Sequence, residues 1–129
     1  MPLEPSRAVV SAPPRVAVVD SDRRVRIALA EVLRVAGMDV VGTAGDVESA
    51  LSLIADGADV MIVDPRLPDL AGGEALVTHV IRSWPSVRVV ITGWGDTGES
   101  RLSLAATAFV AKSAKPEEFI AATLAACGC

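Results

Sequence analysis

Five short apolar blocks punctuate the chain, and the stretches between them change to a helical period. The blocks are residues 15–20 (RVAVVD), 39–44 (DVVGTA), 59–64 (DVMIVD), 87–92 (VRVVIT) and 108–112 (AFVAK). They are rich in β-branched residues, which favour strands. Around Val18, Ile62 and Val90 the apolar run is continuous. Such runs suit strands buried on both faces, in a parallel sheet covered by helices.

Over residues 22–36, Val25, Leu29, Val32, Leu33 and Ala36 form one stripe, with Arg23, Arg24, Glu31 and Arg34 mostly on other faces. Gly37 ends this helix. Asp46 caps a second, which runs to about Ala55 before Gly57. A third is predicted over 73–84, stopped by Pro85, and a weak, Gly-containing fourth over 96–106. The fifth, over 115–126, has Pro116 in its first turn and Glu117 and Glu118 facing the helix dipole. The order βαβαβαβαβα predicts an α/β domain with right-handed crossovers. It spans residues 15–126, between a flexible, Pro-rich lead-in (1–14) and a frayed tail (127–129).

Composition adds boundaries. The 129 residues are 51% hydrophobic, enough for one domain with a real core. Twelve Lys and Arg against sixteen acids, a net charge of -4, argue against direct nucleic-acid binding. No apolar run approaches the roughly 20 residues of a membrane span. Cys127 and Cys129 are too close to make a constraining disulfide and are half a metal site at best, so the cytoplasm is the default compartment. His79 reads as an ordinary helix residue. Trp94 reads as partly buried packing.

In open α/β sheets, ligands bind beyond the carboxyl ends of the strands. Strand 1 ends in Asp20, followed by Ser21 and Asp22; strand 3 ends in Asp64, strand 4 in Thr92 and strand 5 in Lys112. If strands 1 and 3 are neighbours, Asp20 and Asp64 come together, and paired carboxylates attract a cation. Hard oxygen donors without His or Cys point to magnesium rather than zinc. Thr92 and Lys112 add a hydroxyl and a positive charge, partners for a phosphoryl group. Taken singly, Asp20 or Asp22 also reads as a helix cap.

In this order and spacing, "VVDSD", "DPRLPDLAGG", "VVITG" and "FVAKSAKPEEF" resemble the receiver domain of two-component response regulators. The strand 5 region is similar to the nitrate-regulator and LuxR-type branch. The resemblance covers residues 15–126 and implies a flavodoxin-like, five-stranded parallel sheet in the order 2-1-3-4-5. It implies that Asp64 accepts a phosphoryl group from a sensor histidine kinase or phosphotransfer protein. It also implies Mg²⁺ or Mn²⁺ held by Asp20, Asp64 and the backbone carbonyl of Arg66, and phosphoryl oxygens bound by Thr92 and Lys112. Movement of Thr92 with rotation of Phe109 would reshape the face made by the fourth helix, strand 5 and the fifth helix. That face would control an output protein or a C-terminal DNA-binding domain, or pair two copies of the chain. The chain would act only in self-phosphotransfer and autodephosphorylation, not as an enzyme with a separate substrate.

One departure stands out. The family usually has a second acid beside the first, where this chain has Ser21; Asp22 is the candidate stand-in as a metal ligand. Two alternatives follow. One is a receiver-like interaction module that works without phosphorylation. The other is a phosphatase resembling the haloacid dehalogenases, with Asp20 and Asp22 as its D-x-D pair.

Overall fold

A computed structural model describes residues 12–94 and 106–128 of the chain. Five strands, β1 (Arg15–Val19), β2 (Asp39–Ala44), β3 (Val60–Val63), β4 (Arg88–Gly93) and β5 (Ala108–Ala111), form one sheet in the order β2-β1-β3-β4-β5. Every pairing is parallel. The order is the one the resemblance implies. The described helices are α1 (Arg23–Val35), α2 (Val47–Ala55), α3 (Leu70–Ser83) and α4 (Pro116–Ala126). The helix expected over 96–106 falls largely outside the described residues.

The period-2 alternation of the strands divides the core in two. Val16, Val18, Val60, Ile62, Val90 and Val110 pack with α1 and α4 residues, including Leu29, Leu33 and Phe119. Ala17, Val19, Met61, Val63, Val89 and Ile91 pack with α2 and α3, including Ile54, Leu76 and Val80. All four residues of β3 are 0% exposed, so each contributes about 1.5–3 kcal/mol of hydrophobic stabilisation. That rigid centre carries the chain straight to Asp64.

Helix starts follow local capping. Asp22, Asp46 and Asp69 each accept a backbone N–H two or three residues on, from Arg24, Ser49 and Gly72. The Asp69 cap starts α3 at Leu70, three residues earlier than the periodicity predicts. Gly72 therefore lies in the first turn of α3 rather than in the preceding loop, and Gly73 follows it instead of opening the helix. Gly73 is where helix and loop touch: a Cβ there would stand 1.5 Å from the Pro65 carbonyl oxygen. Gly73→Ala is therefore expected to cost about 3 kcal/mol by overpacking against rigid backbone. Urea unfolding checks this; a loss under about 0.5 kcal/mol would contradict the contact.

The ends are better tied than the sequence suggests. Pro14, placed in the lead-in, is buried, and its carbonyl accepts the Asp39 N–H at 3.1 Å. At the other end, the N–H groups of Cys127 and Gly128 donate to the Thr123 and Ala125 carbonyls at 3.2 Å each. These bonds satisfy orphan carbonyls of α4 where a frayed tail is expected. Cys127 is disulfide-bonded.

Candidate functional site

Asp20 and Asp64 are the first residues past two neighbouring strands. The Asp20 N–H donates to the Ala44 carbonyl at 3.0 Å, and the Asp64 N–H to the Val19 carbonyl at 2.9 Å. Both backbones are thus held as extensions of the sheet. Both side chains are buried, with 2% and 5% of the residue exposed. One oxygen of each is fixed by a backbone donor two residues on: Asp22 N–H to Asp20 Oδ1 at 2.8 Å, Arg66 N–H to Asp64 Oδ1 at 3.0 Å.

The second oxygens converge on one cation. Lys112 Nζ lies 2.8 Å from Asp20 Oδ2 and 2.5 Å from Asp64 Oδ2. The contact to Asp20 is an ion pair without an aligned hydrogen bond. Lys112 is placed by its own N–H, which donates to the Gly93 carbonyl at 2.7 Å. Burial works against its charge, but close contact with the Asp20 and Asp64 carboxylates outweighs it and holds its pKa above the usual lysine range. Two carboxylates and one ammonium leave a net charge of -1 in a buried site.

Thr92 completes the rim. It is 2% exposed, and its Oγ1 has no hydrogen-bond partner. Leaving a buried hydroxyl unpaired costs about 1–3 kcal/mol, so its retention calls for a reason. Thr92 and Lys112 also border a cleft of about 230 Å³ between α1 and α4, walled by Val25, Leu29, Val32 and Phe119.

Several expected residues lie elsewhere. Asp22, the stand-in metal ligand, caps α1 instead: its Oδ1 accepts the Arg24 N–H at 2.9 Å and the residue is exposed. One residue's shift along the loop turns it from the site to the helix. Ser21 is exposed too. Trp94 is 71% exposed rather than partly buried, because β4 ends at Gly93 and the chain steps off the sheet. Its ring centroid is 5.7 Å from Lys112 Nζ, within reach of a cation–π contact. Phe109 pairs in register with Ile91 and packs with the α2–α3 cluster. Thr92 borders the cleft on the opposite face, so the two are not brought together. His79 sits on α3, edge-on to Trp84 at 5.6 Å.

One neighbour of the site escapes sequence reasoning. Arg26, in α1, reaches back so that Nη1 donates to the carbonyls of Asp20 at 3.1 Å and Ser21 at 3.4 Å. The usable signal is direction: helical side chains lean toward the N-terminus, so a long one near the start covers the preceding loop.

No group of three or more His, Cys, Asp or Glu suited to a metal occurs among the described residues. The oxygens that meet at Lys112 do form a compact hard-donor pair. With the Arg66 carbonyl on the adjoining loop, they fit Mg²⁺ or Mn²⁺ in chemistry, though without the second acid beside Asp20, where this chain has Ser21. Among the described residues, no helix is long and apolar enough to cross a membrane.

Residues 16–124 match the response regulator receiver domain family. The C4-dicarboxylate transport transcriptional regulatory protein DctD of Rhizobium meliloti (strain 1021) is 35% identical over 88 residues, which are 67% of this chain and 19% of DctD. The chain thus spans about a fifth of that relative's length. The signal receiver domain of NarL from Mycobacterium tuberculosis is 28% identical, with a TM-score of 0.75 over 92% of this chain and 98% of that one. The chemotaxis protein CheY4 of Vibrio cholerae shares the fold at 23% identity, with a TM-score of 0.78 over 89% and 99% of the two chains.

Proposed function

The chain belongs to the response regulator receiver domain family, and from that premise we propose that it is a two-component signalling switch phosphorylated on Asp64. The supporting observation is the Asp64 carboxylate itself. It is buried at a strand end, fixed on one oxygen by the Arg66 N–H and faced on the other by Lys112 at 2.5 Å. That is a pre-organised nucleophile beside a cation able to hold phosphoryl oxygens.

A sensor histidine kinase or phosphotransfer protein supplies the phosphoryl group. An Asp64 oxygen attacks phosphorus; the P–O bond forms as the P–N bond of the donor's phosphohistidine breaks, and the imidazole leaves with the electron pair. Lys112 shifts its contacts from carboxylate to phosphoryl oxygens. The Thr92 hydroxyl, buried without a partner, gains an acceptor there, which supplies a reason for its cost. Drawing Thr92 and Lys112 toward the phosphate shifts a conformational equilibrium at the end of β4 and in β5, where Phe109 is seated. Phe109 responds through strand pairing rather than direct contact with Thr92. An output partner or attached domain reads that surface; DctD, a transcriptional regulatory protein, is several times longer than this chain.

When bound, a divalent Mg²⁺ or Mn²⁺ neutralises charge on the transferring phosphoryl group. Asp20, Asp64 and the Arg66 carbonyl would hold it. Ser21 leaves that set one carboxylate short, so Ser21→Asp is expected to tighten Mg²⁺ binding about tenfold. Unchanged affinity in a Trp fluorescence titration would contradict the assigned donor set.

The phosphatase alternative needs Asp20 and Asp22 in one site, but Asp22 is turned to the α1 cap. The experiment for the proposal is covalent labelling by acetyl phosphate. A label that requires Mg²⁺ supports the switch; no Mg²⁺ response and no label favour the phosphorylation-independent module, in which Ser21 has cost the site its metal.

A further inference from the structure

We infer that Arg26 is a positioning residue for Asp20, clasping the β1–α1 loop to the β2–α2 loop so that the Asp20 carboxylate is aimed at a cation. The inference rests on the proposed phosphotransfer reading. Its first observation is the pair of bonds from Arg26 Nη1 to the Asp20 and Ser21 carbonyls. The second lies across the groove: a Cβ on Gly45 would stand 2.8 Å from the same Nη1 and 3.2 Å from Cζ. The guanidinium therefore fills the space that Gly45 leaves open.

The clasp matters more here because Asp20 carries the loop's share of the site alone. Ser21 is exposed and Asp22 caps α1. Asp20 is gripped on its N–H by the Ala44 carbonyl, on Oδ1 by the Asp22 N–H, and on its carbonyl by Arg26. Releasing the last frees the loop to rotate the carboxylate.

Two effects of Arg26 oppose each other. Its positive charge repels a nearby divalent cation, and its hydrogen bonds hold the ligand in place. Arg26 is only half-buried, so water screens its charge. Misdirecting a metal ligand by losing an outer-shell partner commonly costs 10- to 100-fold in affinity. Positioning wins.

Gly45→Ala separates the two effects. Gly45 is not among the glycines with positive φ, and the atoms its Cβ would meet are the far end of a flexible side chain. The substitution keeps the charge, displaces the guanidinium and spares the fold. Mg²⁺ titration followed by Trp fluorescence is expected to give about tenfold weaker binding for Gly45→Ala and Arg26→Gln. Arg26→Lys should recover part of the loss, and all melting temperatures should stay within about 3 °C of the original. Wild-type affinity in Gly45→Ala, tighter binding in Arg26→Gln, or losses that merely track melting temperature would each overturn the clasp. So would a parent chain with no saturable Mg²⁺ response. If acetyl phosphate still labels Asp64 in any of those cases, the clasp falls alone; if no label forms, the phosphotransfer reading falls with it.

Discussion

Asp64→Asn abolishes covalent labelling by acetyl phosphate while leaving the fold intact. Asparagine presents a neutral amide, a poor nucleophile that cannot form the acyl phosphate. Its side-chain carbonyl can still accept the Arg66 N–H that Asp64 Oδ1 accepts at 3.0 Å. The Lys112–Asp20 pair at 2.8 Å also remains. The trio's net charge rises from -1 to zero, so losing the carboxylate relieves repulsion with Asp20 as it removes attraction to Lys112. Stability should change by less than about 1 kcal/mol, a shift of roughly 5 °C or less in melting temperature. Intact-mass measurement and a circular-dichroism melt on the same sample check both halves.

Lys112→Met has the largest expected effect on stability. The Lys112, Asp20 and Asp64 side chains are 8%, 3% and 7% exposed in their ion pairs. Methionine fills similar volume but leaves two buried carboxylates facing each other without a cation. Removing one partner of a buried ion pair costs about 3 kcal/mol or more. Labelling should slow about a hundredfold as well, the usual effect of losing an electrostatic stabiliser of the transition state. Added Mg²⁺ should recover part of the lost stability, since a metal can take the ammonium's place between the acids. The pH dependence has a definite sign. Because the folded-state pKa of Lys112 is raised, its contribution is fully present below the ordinary lysine value of about 10.4. It is lost only as pH rises through the higher folded-state value. The melting-temperature gap between parent and Lys112→Met should stay constant from neutral pH to about pH 10 and close only beyond it. A gap that closes near pH 8 would contradict the ion trio.

Much of this was legible from periodicity. Strand blocks around Val18, Ile62 and Val90 marked the doubly covered sheet because burial on both faces removes the polar alternation. Asp20, Asp64, Thr92 and Lys112 were findable because parallel strands deliver their ends to one rim. The misses have local causes. The start of α3 lies at Leu70 because the Asp69 side chain caps the helix there through the Gly72 N–H, a start that the apolar period beyond Gly73 does not reveal. Asp22 reads as a candidate ligand by spacing, but direction within a loop is not encoded by spacing, and its carboxylate turns to the α1 cap. Trp94 looked like packing because its size suggests burial, yet the strand ends one residue before it. Arg26 was invisible because its contacts are to backbone carbonyls, which leave no residue-type signature.

The most direct test of the account is the site of the phosphoryl group. After exposure to acetyl phosphate and Mg²⁺, borohydride reduction converts an aspartyl phosphate to homoserine, which peptide mass spectrometry locates. The change is expected at residue 64 and nowhere else. A change at residue 20, or an unmodified residue 64 in a chain that binds Mg²⁺, would contradict it.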